Sequence, residues 1–422
     1  MALTNKQKLE AAAIIAFLVL YKQQRMKKKK RRCWVKPWKT QQRREAQGLA
    51  QNLVKELRET DHDEFKFFFR MDSVLFDELC EKLTPLIGKK NTVMRDAISA
   101  HDRLCVTLRF LASGCSYQDL MYSFRISVSS ISKIIPEVCE ALYNVLRDEY
   151  LQPPSSKQHW EQIAGEFESK WQFPHAVGAI DGKHINMRAP PNSGSEYFNY
   201  KKQFSIVLLA IADANAKFIS FDLGSPGSQS DGGIFKDSCL GNTCKSNHFP
   251  EPANLGERTT PIPYFLLGDD AFALDRNLMK PFPHRTAMGD EKIFNYRLSR
   301  ARRIVENAFG LLCTRFRLLL RTLELDVPNA MQVVRACIAL HNFLMTRKDK
   351  CYSAPGSIDN EDEFGNVVPG SWRNQIDSDD ICDLRSDPSA RSSTLQAREV
   401  RDDLKDYFFE EGAISFQWAM TS

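Results

Sequence analysis

Apolar residues recur along the chain with two different spacings, which predict helices in one part and strands in another. Between residues 61 and 150 they recur every three or four positions, as Leu75, Leu79 and Leu83 do, and this spacing predicts amphipathic helices. From residue 175 the apolar runs become short and are bounded by Gly, Asn or Asp, which predicts buried strands. The chain is therefore expected to begin with an all-α part and to continue with a part built on a sheet.

Three acidic residues, far apart in sequence, take distinctive places in this pattern. Asp181 and Asp269 each end an apolar run of strand length beside a glycine, whereas Glu306 lies in a helical stretch. Two more strands are predicted between the two aspartates, at 206–211 and 218–223, joined by a turn. The predicted buried face of the Glu306 helix consists of Ala301, Val305, Ala308, Leu312 and Phe316, and Glu306 falls off that face.

Carboxylates on two strands and a following helix can converge on one point. Hard cations such as Mg²⁺ take oxygen ligands, and two such ions can clamp the attacking and leaving oxygens of a phosphodiester displacement. The alternative is that the three residues are unrelated surface acids, since the chain has 53 acidic residues. The order of the elements between them favours the first interpretation.

Composition places the chain among soluble globular proteins, with 43% hydrophobic and 26% charged residues in 422. The net charge is only +5, but residues 22–44 hold twelve Lys and Arg and no acid. The run MKKKKRR (26–32) is typical of a nuclear localisation signal or a DNA-backbone contact, and a solvated tail is the alternative. The apolar run at 11–21 is too short for a membrane span and predicts a partly buried or interfacial helix. The eleven scattered cysteines indicate reduced thiols in an intracellular protein.

Two short helical stretches, 116–124 and 128–146, are separated by three residues and predict a helix-turn-helix-like unit. In that motif the N-terminal residues of the second helix enter the major groove. The exposed positions there would be Ser129, Ser130, Ser132 and Lys133, because the neighbouring isoleucines must face inward. The alternative is a helical bundle that only braces a catalytic domain.

Four stretches resemble the nuclease of the PIF/Harbinger group of DDE transposases and its domesticated host relatives: GAIDGKHI (178–185), GSQSDGGIFKDS (227–238), LLGDDAF (266–272) and RARRIVENAFGLLCTRFR (300–317). The resemblance covers the chain from about residue 60 onwards. It implies an α+β fold, with a ribonuclease-H-like catalytic core of mixed sheet and flanking helices behind an all-α, helix-turn-helix-like domain. It also implies metal-dependent cleavage of DNA and strand transfer.

The resemblance implies that Asp181, Asp269 and Glu306 are both the catalytic residues and the ligands of Mg²⁺ or Mn²⁺. Asp181 would bridge two ions, with one held by Asp269 and the other by Glu306. Asp270 fills the small-residue position after the second acid, and it remains the alternative ligand. Asp231 matches a further motif position and is interpreted as a helix-capping or supporting residue instead of a ligand.

Basic residues close in sequence to the acids are candidates for contacts with DNA phosphates. They are Lys183, His184, Arg302 and Arg303. For Arg302 and Arg303, ion pairing with acids is the alternative. Further along the chain, His341 is interpreted as a buried structural histidine.

Five segments are predicted. They are a basic N-terminal region (1–60), a helical, helix-turn-helix-like domain (61–151), the nuclease domain (152–349), a disordered acidic linker (350–395) and a C-terminal helix (396–422).

Three classes of function remain open. The first is an active DDE nuclease or transposase that hydrolyses DNA with two metal ions. The second is a domesticated, catalytically silent protein that binds DNA or chromatin. The third is an unrelated metal phosphohydrolase acting on RNA or nucleotides. We expect double-stranded DNA and a Myb/SANT-like DNA-binding protein as partners, self-association into a homo-oligomer, no membrane association, and a location in the nucleus and also the cytoplasm.

Overall fold

A computed structural model describes residues 12–18, 35–93, 96–238, 240–242, 249–350, 352–376 and 393–420. The helices are α1 (Gln41–Gln47), α2 (Leu53–Thr60), α3 (His62–Phe69), α4 (Ser73–Ile87), α5 (Ala100–Ser113), α6 (Tyr117–Phe124), α7 (Val128–Tyr150), α8 (Lys157–Trp171), α9 (Asp231–Asp237), α10 (Asp290–Arg315), α11 (Val327–Thr346) and α12 (Leu395–Phe409). The strands are β1 (Ala176–Asn186), β2 (Ser205–Ala212), β3 (Phe218–Pro226), β4 (Ala253–Asn254), β5 (Pro261–Ile262), β6 (Phe265–Leu267), β7 (Leu278–Met279), β8 (Asn360–Glu361) and β9 (Val367–Val368).

The helical region begins earlier than the sequence analysis placed it. Ala50, in the turn between α1 and α2, and Val54 of α2 are buried in the same core as α3 and α4. The prediction of a separate basic region over 1–60 is therefore wrong for residues 37–60, because their few apolar side chains suffice to dock them. Residues 12–18 form a helical turn whose side chains are exposed, so the expected partial burial is not found there. The basic run 26–32 lies outside the described residues.

The predicted helix-turn-helix-like unit consists of α6 and α7 joined by residues 125–127. Ser127 caps α7 by accepting a hydrogen bond from the Ser130 backbone N–H. Ile131 and Ile135 are fully buried, and α7 continues unbroken through Pro136. The C-terminal part of α7 packs against α11, so this helix braces the second half of the molecule while its first turn faces outward.

The central sheet has the strand order β3-β2-β1-β6-β7. The β1–β2 and β2–β3 pairs are antiparallel, whereas the β1–β6 and β6–β7 pairs are parallel. Helices α8 and α10 pack against β1, and α11 packs against β3. Three antiparallel strands followed by parallel strands, with helices alongside, are the ribonuclease-H-like core that the sequence predicted.

The segment after α11 is ordered over residues 352–376, which corrects the predicted disordered linker. It forms the β8–β9 hairpin and a 3₁₀ turn at Ser371–Asn374. Tyr352 and Trp372 are buried, and the Trp372 indole N–H donates to Asn307 Oδ1 at 2.7 Å. These two aromatic anchors dock a segment whose polar composition suggested no core. Residues 377–392 lie outside the described part, and α12 forms as expected but ends at Phe409.

No helix in the described ranges combines the length and the apolar character that crossing a bilayer requires.

Candidate active site

Asp181 lies in the middle of β1 and not at its end, as the apolar run alone suggested. The strand continues because its pairing with β2 extends from Ala179 to Asn186. The Asp181 side chain is 3% exposed. One carboxylate oxygen accepts from the Gly182 N–H at 2.8 Å, and the other accepts from Arg302 Nη1 at 3.0 Å.

Asp269 follows β6 and lies beside Asp181 for a simple topological reason. Strands β1 and β6 are parallel, with Ala179 opposite Leu267, and each aspartate comes two residues after that pair. Asp269 Oδ1 accepts from the Ala271 N–H at 2.9 Å. Burial raises the pKa of the Asp269 carboxyl, and the nearby Arg302 guanidinium opposes the shift.

Glu306 comes from α10, which packs against β1. Arg302 precedes it by one helical turn, and its Nη2 donates to Glu306 Oε1 at 2.9 Å. The Arg302 guanidinium therefore bridges Asp181 and Glu306 and also acts electrostatically on Asp269. The three acids predicted from sequence converge around this one cation.

A fourth acid, Asp231, belongs to the same cluster. It is fully buried at the first position of α9, and Ser230, not Asp231, caps that helix. Among the described residues, neither carboxylate oxygen of Asp231 has a hydrogen-bond partner. Burial, followed by the repulsion of Asp181 and Asp269, raises the pKa of Asp231 well above its usual range. The interpretation of Asp231 as a capping residue is thus wrong, and its unpartnered oxygens face an environment of like charge.

Asp270, the alternative second acid, lies in a different environment. Its backbone carbonyl accepts from Lys280 Nζ at 3.1 Å. The groups that raise the pKa of Asp231 include Asp269 and not Asp270. Asp269 therefore acts electrostatically on the buried Asp231, and Asp270 does not.

The basic residues proposed to line the site divide into two groups. Lys183 is buried two residues after Asp181, so strand alternation places it on the same face of β1. His184 lies on the opposite face, where its Nδ1 is 2.9 Å from Ser205 Oγ. Arg303 pairs with Glu361 at 3.0 Å and points away from the acids. For Arg302 and Arg303, pairing with acids is what the structure shows.

Residues 180–342 match the sequence family described as DDE superfamily endonuclease. These residues form a DDE superfamily endonuclease domain. The matched range includes the acids of the cluster, and it runs from β1 to α11. The helical residues 47–144 match a domain of unknown function (DUF8040).

Curated relatives of the endonuclease domain are distant. "Protein ALP1-like" of Arabidopsis thaliana is 26% identical over 304 residues, which is 69% of this chain and 73% of that protein. "Putative nuclease HARBI1" of Homo sapiens is 25% identical over 279 residues, 65% of this chain and 76% of that protein. The resemblance to PIF/Harbinger-derived proteins is thereby confirmed. No solved structure matches the chain.

The donors of the endonuclease domain fit a hard divalent cation in their chemistry. Asp181, Asp231, Asp269 and Glu306 offer only carboxylate oxygens, which Mg²⁺ and Mn²⁺ prefer. The carboxylate oxygens of Asp231 are buried and have no hydrogen bond to any described residue. A bound cation would explain why they are there. Within the part of the chain that the structure describes, no three acidic, His or Cys side chains lie close enough to share an ion. The Arg302 guanidinium lies between Asp181 and Glu306.

A second arginine, which the sequence analysis did not single out, also reaches the cluster. Arg373 Nη2 lies 3.5 Å from Glu306 Oε2 and 2.6 Å from Asp359 Oδ2. It comes from the segment that was predicted to be disordered. No sequence signal could have found it, because its position depends on the docking of Trp372 beside Gly310.

The predicted major-groove residues of α7 lie far from this cluster in sequence but are partly accessible. Ser129 and Lys133 are exposed, and Ser130 is half-buried. Ser127 Oγ lies 3.1 Å from Ser129 Oγ and 2.8 Å from Ser130 Oγ. Next to this turn, Trp38 stacks on Tyr122 of α6 with ring centroids 5.8 Å apart, so the N-terminal arm of the chain lies over the first helix of the unit.

Proposed function

We propose that this protein is a divalent-metal-dependent nuclease that hydrolyses phosphodiester bonds of duplex DNA. The observation that supports the proposal is the buried carboxylate of Asp231, which has no hydrogen-bond partner among the described residues and is repelled by Asp181 and Asp269. A buried anion without a partner is costly, and such sites persist where function requires them.

Asp181, Asp231, Asp269 and Glu306 would hold the metal. When bound, Mg²⁺ or Mn²⁺ neutralises charge on the scissile phosphate and lowers the pKa of a water or a 3′-hydroxyl that attacks it. The chain's own contribution is to place the acids on rigid elements, β1, the end of β6 and α10, so that little reorganisation is needed.

Arg302 has a second role in this proposal. Its guanidinium holds Asp181 and Glu306 in place before a cation binds, with distances of 3.0 and 2.9 Å. With a cation held by the acids, the planar donors of the Arg302 guanidinium would be suited to pair with phosphate oxygens. Lys183, on the same strand face as Asp181, would add positive charge nearby.

The second candidate is a DNA- or chromatin-binding protein without nuclease activity. The observation that favours it is that Arg302 and Arg373 already pair with the acids, and no three acidic, His or Cys side chains share an ion position in the described residues. On this view the arginines would replace the metal permanently.

Nicking of supercoiled plasmid DNA by the purified protein distinguishes the two candidates. We expect nicking that requires Mg²⁺ or Mn²⁺ and stops with a chelator. Asp181→Asn and Asp269→Asn should each lower the rate by at least about 100-fold, the scale typical of losing one element of charge stabilisation. Asp270→Asn is the matched control, one residue away, and should keep the wild-type rate.

The proposal fails if the wild-type protein never nicks with either metal, or if Asp181→Asn nicks like the wild type. Duplex DNA binding that survives Asp181→Asn, without any cleavage, would support the second candidate. Preference for RNA or mononucleotides over duplex DNA would support a general phosphohydrolase.

Sequence-specific cleavage is proposed to need a partner. We propose a Myb/SANT-like DNA-binding protein as that partner, action in the nucleus, and self-association into a homo-oligomer. The proposal is supported by the resemblance to PIF/Harbinger-derived proteins and by the lack of arginine among the outward residues at the start of α7. Tight, sequence-specific DNA binding by this chain alone at physiological salt would contradict the need for the partner.

A further inference from the structure

We propose that a basic cavity between the helical region and the endonuclease domain binds backbone phosphates of the DNA. We call it the junction pocket; its cationic lining consists of Lys66, Arg70, Arg315, Arg317 and Lys350, and its volume is about 450 Å³. The inference rests on the proposed function, since it adds a second contact for the same DNA, away from the acidic cluster.

The five cations come from separate parts of the chain. Lys66 lies in α3 and Arg70 directly after it, whereas Arg315 ends α10 and Arg317 begins the 3₁₀ turn that follows. Lys350 comes just beyond α11. The fold therefore brings these charges together across the junction, and the cluster is not the solvated face of one helix.

Few acidic side chains of the described residues face the positive charge of the junction pocket. Asp63 is the one acidic residue in its lining. It pairs with Lys66 at 3.1 Å, but its side chain is 94% exposed, so this ion pair is weak. In the described residues, no ion pair is found for Arg315, Arg317 or Lys350. The like charges of Arg315, Arg317 and Lys350 repel each other, and a bound anion relieves that repulsion.

The guanidinium of Arg315 is oriented before any ligand arrives. Its Nε donates to the Tyr352 carbonyl at 2.7 Å, and its Nη2 donates to Ser357 Oγ at 3.3 Å. Both acceptors are neutral, so these bonds fix the side chain without cancelling its charge. On the opposite wall, the Arg70 guanidinium stacks on the ring of Phe67 at 4.3 Å. Two arginines with restrained planes suit the oxygens of a phosphate better than mobile lysines do.

The junction pocket and the acidic cluster are linked through two elements. Glu306 and Arg315 are nine residues apart on α10, which is roughly 14 Å along the helix axis. Gln375 lines the pocket, and Arg373, two residues earlier, contacts Glu306. Phosphates on one DNA strand are spaced about 3.4 Å apart along the axis, so the two sites would be about four or five nucleotides apart. A single DNA duplex can therefore span both.

A direct test is the salt dependence of DNA binding, measured by fluorescence anisotropy with a labelled 30-base-pair duplex in EDTA. The variant is Arg317→Gln/Lys350→Gln, which removes two exposed charges that hold no other element in place. The matched control is Lys90→Gln/Lys292→Gln, which removes two exposed charges elsewhere. Equal melting temperatures of all three proteins would show that folding is unchanged.

We expect the slope of log K against log salt concentration to become shallower by about 1.8 in the variant, at about 0.9 per neutralised phosphate, and to stay unchanged in the control. At 0.15 M salt this corresponds to a roughly 30-fold loss of affinity. Equal slopes in the wild type and the variant would overturn the proposal. Pocket-dependent binding of an acidic phosphopeptide in place of DNA would overturn it too.

Because EDTA prevents cleavage, the outcome is independent of nuclease activity. A shallower slope in a protein that never nicks would keep the junction pocket and refute the proposed function. Nicking by the wild type, together with equal slopes in the wild type and the variant, would support the proposed function and refute the junction pocket.

Discussion

Replacing Asp231 with Asn should make the metal-free protein more stable and the metal-loaded protein less stable. The side chain of Asp231 is fully buried, its carboxylate oxygens have no hydrogen-bond partner in the part of the chain that the structure describes, and Asp181 and Asp269 repel it. Asn keeps the size of the side chain and removes its charge. The substitution therefore separates the loss of stability that the buried carboxylate causes from its contribution to metal binding.

The expected gain follows from the electrostatics of the cluster. Burial, followed by the repulsion of Asp181 and Asp269, raises the pKa of Asp231 in the folded protein well above its usual range. The folded wild type therefore loses about 1.4 kcal/mol of stability for each pH unit above the pKa of the unfolded chain, until the pH reaches the folded pKa. We therefore expect metal-free Asp231→Asn to be more stable than the wild type by about 1–3 kcal/mol. Gains of this size are typical of substitutions that stabilise a protein at the expense of a functional site.

The expected loss follows from linkage. A ligand that binds only the folded state at 100 times its dissociation constant stabilises that state by about 2.7 kcal/mol. The wild-type melting temperature should thus rise on addition of Mn²⁺, and Asp231→Asn should lose most of that rise. Asp231→Asn should therefore melt at a higher temperature than the wild type in EDTA and at a lower temperature in excess Mn²⁺.

Differential scanning calorimetry of both proteins in EDTA and in Mn²⁺ measures both effects. The control is Asp237→Asn, an exposed aspartate in the last turn of the same helix, which should follow the wild type in both conditions. If Asp231→Asn melts lower than the wild type in EDTA and keeps the full response to Mn²⁺, then Asp231 is a structural acid and the reasoning is refuted.

Three further predictions concern the surroundings of the site. His341 is buried, with Nε2 donating to the Ala216 carbonyl, and burial lowers its pKa to about 4. The pKa of His341 in the unfolded chain is about 6.5. The free energy of unfolding should therefore be highest above pH 6.5 and fall by up to about 3 kcal/mol as the pH drops to 4. Urea unfolding at several pH values measures this, and an equal slope in His341→Gln would contradict it. Gly310→Ala should destabilise the fold by about 1–3 kcal/mol because the new methyl group overlaps the Trp372 ring. The control, Gly165→Ala, lies in an open part of α8 and should be neutral or slightly stabilising. Equal melting temperatures of the two variants would contradict this prediction. Arg303→Gln should lower the melting temperature but leave the nicking rate per folded molecule unchanged, and a large loss of rate would mean that Arg303 contacts substrate.

The sheet and the three main acids were predictable because local signals carry them. Apolar runs bounded by turn residues located β2 and β3, and the spacing of apolar residues located the buried face of α10. The position of Asp181 within β1 was less predictable. An apolar run marks only where the strand is buried on both sides, whereas the strand itself ends where its pairing with β2 ends.

The features that sequence could not give all depend on long-range packing. Asp231 follows a Ser and precedes two glycines, a pattern that is also typical of the first turn of a helix. Only the docking of α9 places Asp231 near Asp181. The ordered segment 352–376 has few apolar residues, and its stability comes from two aromatic anchors on α10 and α11. Arg373 reaches Glu306 only because that segment docks.

Anomalous diffraction from crystals of the protein with Mn²⁺ and duplex DNA would show directly whether the acidic cluster holds a metal ion. The account predicts Mn²⁺ bound by the carboxylates of Asp181 and Asp269, with Asp231 facing the ion and the Arg302 guanidinium moved from between Asp181 and Glu306 towards a phosphate. Absence of Mn²⁺ from these carboxylates at saturating metal, with Arg302 still bridging the two acids, would contradict it. The protein would then be a DNA-binding descendant of a nuclease fold.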